Sequence, residues 1–260
     1  MGTRFLRYVG VDYSGAETIE SYLPGLSAYV AAPDHPPFEI MPLGGRRYWT
    51  RQSLARGLAD LLSDGVPTMV GVDHAFSFPL SYFRKYKLAR DDWRAFLDDF
   101  CAHWPTDEPH TYVDFVRDGL CGQGHARSGS SRSRRLVEQR CRAKSVFHFD
   151  VPGSVAKSTH AGLPWLRFLM NQPGLNLHAW PFDGWVPSPG VSVIAEVYPS
   201  LWSRGYPREG RNNHQQDAFA VAAWMRDTDV SGGLDDYFSP NLDRPTKRHA
   251  MTEGWILGVV

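Results

Sequence analysis

The sequence lacks a net charge, paired cysteines and any long apolar run, and each absence excludes a class of protein. Its 28 basic and 28 acidic residues cancel, so the overall charge indicates neither a nucleic-acid nor a membrane-surface partner. The 3 cysteines form no C-x-x-C pair, which excludes a zinc-ribbon pattern and favours reduced thiols. No stretch reaches the roughly 18 apolar residues of a membrane span, and the N-terminus lacks the apolar core of a signal peptide. We therefore expect a cytoplasmic protein.

The composition is that of an ordinary globular protein, with 42% hydrophobic and 22% charged residues. Amphipathic helices are predicted after the N-cap Thr50 and from Asn212 or Asn213 through Arg226. A short run at 177–181 can form a further strand. Apolar runs rich in β-branched and aromatic residues predict strands at 5–12, 26–32, 38–43, 68–73 and 191–197. The first three strands are predicted to form an antiparallel meander.

The middle of the chain, about residues 80–170, has a different character. Asp91 can cap one helix, the pair Thr106-Asp107 can cap another, and Pro164 suits the first turn of a third. Between residues 127 and 144 the chain carries seven basic residues against Glu138 alone. We therefore predict a single domain over residues 1–260 with a helical, basic insertion at about 80–170.

Acidic residues end or nearly end three of the predicted strands. Asp12 and Asp73 each close a Val-Gly-Val-Asp run, and Glu196 lies in the apolar run Ile-Ala-Glu-Val. Asp217 lies in the first turns of the last strong helix. Charges are costly in such apolar surroundings unless they are paired or bind a metal. If the strands are neighbours in one sheet, the carboxylates converge at one edge, and Asp12 and Asp73 lie side by side.

A cluster of carboxylates needs a partner charge, and a hard cation such as Mg²⁺ prefers oxygen ligands. Metal ions held in this way can activate water and stabilise the leaving oxygen in phosphodiester cleavage. His214 lies three residues before Asp217, so the two side chains share a helix face. His214 is therefore a candidate to orient water, bind metal or transfer a proton. We expect a site for Mg²⁺ or Mn²⁺ and phosphoryl chemistry.

The order β-β-β-α-β-α-β-α, with acids on the first strand, a later strand and the last helix, resembles the ribonuclease-H-like fold. The phrases VGVDYS, VGVDHAFSFP, IAEVYPS, HQQDAFAVAAW, GLPWL and EGWI resemble the predicted-nuclease group known as domain-of-unknown-function family 429. This resemblance implies an α/β fold with a mixed five-stranded sheet flanked by helices and a helical insertion after the fourth strand. It also implies a metal-dependent nuclease whose metal ligands are Asp12, Asp73, Glu196 and Asp217.

The Gly/Ser/Arg-rich part of the insertion suits contacts with the phosphates of DNA or RNA, because arginine binds phosphate bidentately. Two alternatives stay open: a non-catalytic nucleic-acid-binding or adaptor protein, and an actin-like nucleotide phosphotransferase. The run DYSGAET resembles the phosphate-binding turn of the latter, but no second Gly-rich phosphate motif follows. The candidate contacts to the nucleic-acid backbone are Arg127, Arg132, Arg134, Arg135 and Lys157.

Overall fold

A mixed six-stranded sheet flanked by helices forms the centre of the protein in a computed structural model, which describes residues 2–260. Its strand order is β3-β2-β1-β4-β6-β5. The expectation of five strands is wrong, because the short run ending at Trp180 pairs parallel to its neighbour and adds an edge strand. The strands are β1 (Arg7–Asp12), β2 (Ser27–Ala32), β3 (His35–Glu39), β4 (Thr68–Val72), β5 (Leu177–Trp180) and β6 (Ser192–Glu196).

Helices cover both faces of this sheet. Among residues 2–260, none of the helices is long and apolar enough to cross a bilayer. Helices α2 to α6 fill the chain between β4 and β5. The helices are α1 (Arg51–Leu62), α2 (Leu80–Tyr86), α3 (Trp93–His103), α4 (Val113–Arg117), α5 (Leu136–Arg140), α6 (Ala156–Met170), α7 (Asn213–Val230), α8 (Leu234–Phe238) and α9 (Arg244–Glu253).

Two hydrophobic cores lie on opposite faces of the sheet, because successive side chains of a strand point to opposite sides. Val11 and Val72 belong to the core that also holds residues of α1, α3 and α6. Tyr8 and Met69 belong to the other core, with residues of α7, α8 and α9. The sheet therefore separates α3 and α6 of the insertion from the C-terminal helices, whereas Val137 of α5 packs in the core of the C-terminal helices.

The first three strands form the expected antiparallel meander, but the third is displaced toward the N-terminus. We predicted it at 38–43, whereas β3 covers His35–Glu39 and includes Pro36 and Pro37. The strand lies at the edge of the sheet, where a proline needs no partner for its missing N–H group. A proline pair that normally indicates a break is therefore compatible with a strand here.

The helix starts in the insertion also differ from expectation. Asp92 caps α3 by accepting from the Ala95 amide at 2.8 Å, so the predicted cap is displaced by one residue. The helix predicted after Thr106 is absent, and α4 begins only at Val113. Pro164 lies inside α6 instead of in its first turn. Because Pro164 has no N–H group, the His160 carbonyl lacks its partner within the helix. This carbonyl accepts a hydrogen bond from Thr106 Oγ1 at 2.6 Å instead.

Gly10 permits the close contact between β1 and α7. A Cβ atom at this position would overlap the backbone carbonyl of Ala218 and lie 2.7 Å from the amide nitrogen of Ala222. We expect Gly10→Ala to destabilise the protein by about 1–3 kcal/mol, the typical cost of overpacking. Gly205→Ala is the control, because a Cβ there meets nothing within 4 Å. Equal urea midpoints for the two variants would contradict this close packing.

Candidate active site at the carboxyl end of the central strands

The two Val-Gly-Val-Asp runs lie side by side in the sheet. Strands β1 and β4 pair in parallel with Gly10 opposite Gly71 and Val11 opposite Val72. The next residue of each run is the aspartate, and the Asp73 amide donates to the Val11 carbonyl at 2.9 Å. The expectation that Asp12 and Asp73 are neighbours is therefore confirmed, and parallel pairing delivers both to the same edge.

Asp12 binds the first turn of α7 through His214. The Nδ1 atom of His214 lies 2.6 Å from Asp12 Oδ2, with the Asp12 side chain 9% exposed and the His214 side chain 51% exposed. Asn212 fixes the start of the helix, because its side chain accepts from the Gln215 amide and Gln215 bonds back to the Asn212 backbone. The cap thus sets the position of an imidazole whose other nitrogen remains available for chemistry.

The carboxyl groups at this edge disfavour each other's ionisation. Burial raises the pKa of Asp12, and the hydrogen bond from His214 opposes that rise. Burial also raises the pKa of Asp73 well above its usual range. The charges of Asp12, Asp217 and Glu196 raise the pKa of Asp73 further. The Asp73 carboxyl therefore takes up a proton more readily than an exposed aspartate does.

Asp217 and His214 complete the group of side chains that converge here. The hydrogen bond to Asp12 is the largest influence on His214 and raises its pKa, and the charges of Asp12 and Asp217 act in the same direction. Asp217 also raises the pKa of Asp12 and Asp73. The structure therefore brings together four of the five residues that the sequence suggested for catalysis.

Glu196, the fifth, is bound to an arginine. Its two carboxylate oxygens accept from Arg135 at 2.6 and 2.7 Å, and one also accepts from the Phe76 amide at 3.3 Å. Glu196 lies in register with Val72, one residue before the row of Asp73, so its side chain starts from the opposite face of the sheet. We therefore do not assign Glu196 to the metal ligands, and correct that expectation.

Arg135 is the centre of a buried ionic network and not a contact for phosphate. Its side chain is 1% exposed, and its Nε atom lies 2.9 Å from Glu138. Beside it, the Glu253 carboxylate accepts from the amides of Leu80 and Leu136 at 2.6 and 2.7 Å. These bonds tie the start of α2 and the start of α5 to the end of α9. The prediction that Arg135 binds nucleic acid is wrong, because its guanidinium is buried against carboxylates.

The other candidate phosphate contacts divide into two groups. Arg127 is paired with Asp99 at 2.9 Å, and Lys157 is paired with Asp114 at 2.7 Å. Arg132 and Arg134 are exposed, and neither is in an ion pair within residues 2–260. Of the seven basic residues between 127 and 144, Arg127 and Arg135 are therefore the two with acidic partners in the described residues.

The donor chemistry of this edge fits a hard cation in part. Across residues 2–260, no group of three or more His, Cys, Asp and Glu side chains is arranged to hold a metal ion. Asp12, Asp73 and Asp217 nevertheless offer carboxylate oxygens whose charges oppose one another, and a divalent cation relieves that repulsion.

Replacing Asp73 should stabilise the protein at neutral pH. The folded-state pKa of Asp73 lies above its unfolded value, so stability falls as pH rises from the unfolded pKa through the folded one. Asp73→Asn removes this cost, and we expect a gain of about 0.5–2 kcal/mol at neutral pH that disappears below pH of about 3.9.

Thermal melts of Asp73→Asn in a chelating buffer, at several pH values, measure this gain. Asp60→Asn is the matched control, because Asp60 is exposed and forms no ion pair in the described residues. A lower melting temperature for Asp73→Asn than for the unmodified protein at neutral pH would show that the Asp73 carboxylate is satisfied within the fold.

Two adjacent arginines should differ sharply in their contribution to stability. Arg135→Ala leaves Glu196 and Glu138 buried without their counter-ion, which typically costs about 3–5 kcal/mol. Arg134→Ala removes an exposed side chain and should change stability by less than about 0.5 kcal/mol. Urea denaturation of the two variants compares them directly, and similar midpoints would refute the buried network.

No protein-family model, curated protein or solved structure matches the chain. A fold does not by itself imply an activity, so function has to be argued from the chemistry of the site. For this chain that chemistry is the group formed by Asp12, Asp73, Asp217 and His214.

Proposed function

We propose that this protein is a metal-dependent nuclease of the ribonuclease-H-like type, which hydrolyses phosphodiester bonds of nucleic acid. The observation that carries the proposal is the Asp12–Asp73 pair, which lies beside His214 and Asp217 at the carboxyl edge of two parallel strands. Buried carboxyl groups that repel one another lower the stability of the fold. Proteins therefore retain them mainly at functional sites, where the shifted pKa values are used.

The order of elements also supports the proposal. Three antiparallel strands are followed by a helix, a parallel central strand and a last long helix that bears His214 and Asp217. This is the arrangement through which the sequence resembles the ribonuclease-H-like fold. The sixth strand and the insertion from α2 to α6 depart from a minimal domain of that type, so the substrate has to be found by experiment.

The side chains at the edge have separable roles in this mechanism. Asp12 orients His214 through Nδ1, so the Nε2 side of the ring, beside Gly25 and Ser14, is free to exchange a proton with the reacting group. The hydrogen bond to Asp12 raises the pKa of His214, which favours the protonated imidazole and suits donation of a proton to the leaving oxygen. A divalent cation bound by Asp12, Asp73 and Asp217 would supply charge stabilisation and a more acidic water.

One observation favours a non-catalytic alternative. Arg135 occupies both oxygens of Glu196, which leaves the site with one acid fewer than the sequence suggested. A protein with this fold could then bind nucleic acid without cleaving it. The actin-like phosphotransferase gains no such support, because Gly15 of its resembling turn packs directly against the Lys157 backbone.

Cleavage assays test the nuclease proposal against single- and double-stranded DNA, RNA and hybrids, with Mg²⁺ or Mn²⁺. We expect Asp12→Asn to abolish cleavage, because it removes both a carboxylate and the partner that orients His214. His214→Ala should lower the rate by about 10²–10⁴-fold, the usual contribution of a general acid or base. The exposed-site variant Asp60→Asn should cleave as the unmodified protein does. Activity that survives Asp12→Asn would refute this mechanism.

A further inference from the structure

A surface formed by the loop before α1, by Tyr22 and by Arg56 of α1 carries unpaired positive charge, one exposed tyrosine and one half-buried tyrosine. We call it the arginine surface and define it by Tyr22, Arg46, Arg47, Tyr48 and Arg56. The chain has no acidic residue between Glu39 and Asp60. The three arginines of the surface are exposed, and none of them is in an ion pair within the described residues 2–260. In this respect they differ from Arg127 and Arg135 of the predicted basic segment.

Each of the two neighbouring arginines lies over a tyrosine ring. The guanidinium carbon of Arg46 is 5.2 Å from the ring centroid of Tyr22, and that of Arg47 is 5.2 Å from the ring centroid of Tyr48. Tyr22 is 50% exposed. When a phosphate group binds the guanidinium group of Arg46 or Arg47, the base of the same nucleotide lies near a tyrosine ring. Positive charge combined with aromatic rings is typical of proteins that bind single-stranded nucleic acid.

A cleft beside this surface reaches the start of α7, the helix that carries His214. Arg47 and Tyr48 line it on one side, and Asn212 and Gln215 of the α7 start line it on the other. His214 lies between these last two residues in the chain. The one acid among the lining residues, Glu39, is hydrogen-bonded by Gln215 Nε2 at 2.9 and 3.1 Å. A strand bound at Arg47 and Tyr48 would therefore lie along a cleft that ends at the first turn of α7.

The geometry points to a single-stranded nucleic-acid segment as the ligand of the arginine surface. Binding there would position the scissile phosphate at the carboxyl edge of β1 and β4. This inference rests on the proposed function and adds its substrate class. Base stacking on Tyr22 and Tyr48 needs bases that are not paired in a duplex. The surface offers phosphate contacts in addition to the exposed Arg132 and Arg134 of the insertion.

A peptide strand is a poorer occupant of the same region. The adjoining edge strand β3 carries Pro36 and Pro37, which lack the N–H groups that an added strand would pair with. Its neighbouring loop offers Arg46 and Arg47 side chains instead of a continuous backbone edge. The chemistry of this face therefore matches phosphates and bases better than it matches an extended polypeptide.

The test measures binding separately from cleavage. Fluorescence anisotropy of the Asp12→Asn protein in a chelating buffer reports binding of thymidine and uridine oligomers of about 16 nucleotides, and the two arms distinguish DNA from RNA. We expect Arg46→Ala/Arg47→Ala to weaken binding about tenfold or more and to lower the salt slope by about 1.4, or 0.7 for each lost phosphate contact. Tyr22→Ala should weaken binding about tenfold through lost stacking.

Two further double variants make the result decisive, with circular dichroism melts confirming that each variant is folded. Arg84→Ala/Arg248→Ala removes the same charge from exposed helical positions and should bind as the parent does. Unchanged binding by Arg46→Ala/Arg47→Ala overturns the inference, as does loss of binding only in Arg132→Ala/Arg134→Ala. No binding of either oligomer at low salt by the parent also overturns it.

The outcomes separate the two proposals. If the protein cleaves no substrate but Arg46→Ala/Arg47→Ala still loses binding, the nuclease proposal fails and the arginine surface stands. If the protein cleaves and the double variant binds and cleaves like the parent, the nuclease proposal stands and the surface fails.

Discussion

The parallel pairing of β1 with β4 is the constraint on which the rest of this structure depends. Gly10 and Gly71 lie opposite each other in that pair, and both leave room on the same face, for α7 at Gly10 and for Val197 and Val221 at Gly71. Because α7 can approach so closely, its first turn reaches the ends of both strands. One backbone register therefore determines the sheet, the position of the long helix and the juxtaposition of Asp12, Asp73 and His214.

Two groups of buried charge lie close together and have opposite characters. Around Arg135, every carboxylate has a guanidinium or amide partner, so the charges join the insertion to the sheet and to α9. Around Asp73, burial and the charges of other acids raise the pKa. The first group offsets its desolvation with hydrogen bonds, whereas the second carries a repulsion between carboxylates that a proton or a counter-ion would relieve.

The sequence predicts what depends on short-range patterns and misses what depends on distant partners. The Val-Gly-Val-Asp runs, the Thr50 cap and the Asn212 cap are local signals, and all three appear in the structure as expected. Arg134 and Arg135 are adjacent residues of the same type. Only in the folded chain does Glu196 lie against Arg135 and not against Arg134. Glu196 also illustrates a one-residue effect, since a shift of one position along a strand reverses the face of a side chain.

The position of the Glu253 carboxylate in the sequence affects the order in which parts of the chain can fold during synthesis. It caps the starts of α2 and α5 across sequence separations of 173 and 117 residues. During synthesis from the N-terminus, both helices emerge from the ribosome long before this residue does. The amides of Leu80 and Leu136 must therefore stay bound to water until Glu253 has been made. Loss of the Glu253 side chain would be felt first at the starts of α2 and α5, in the middle of the sequence.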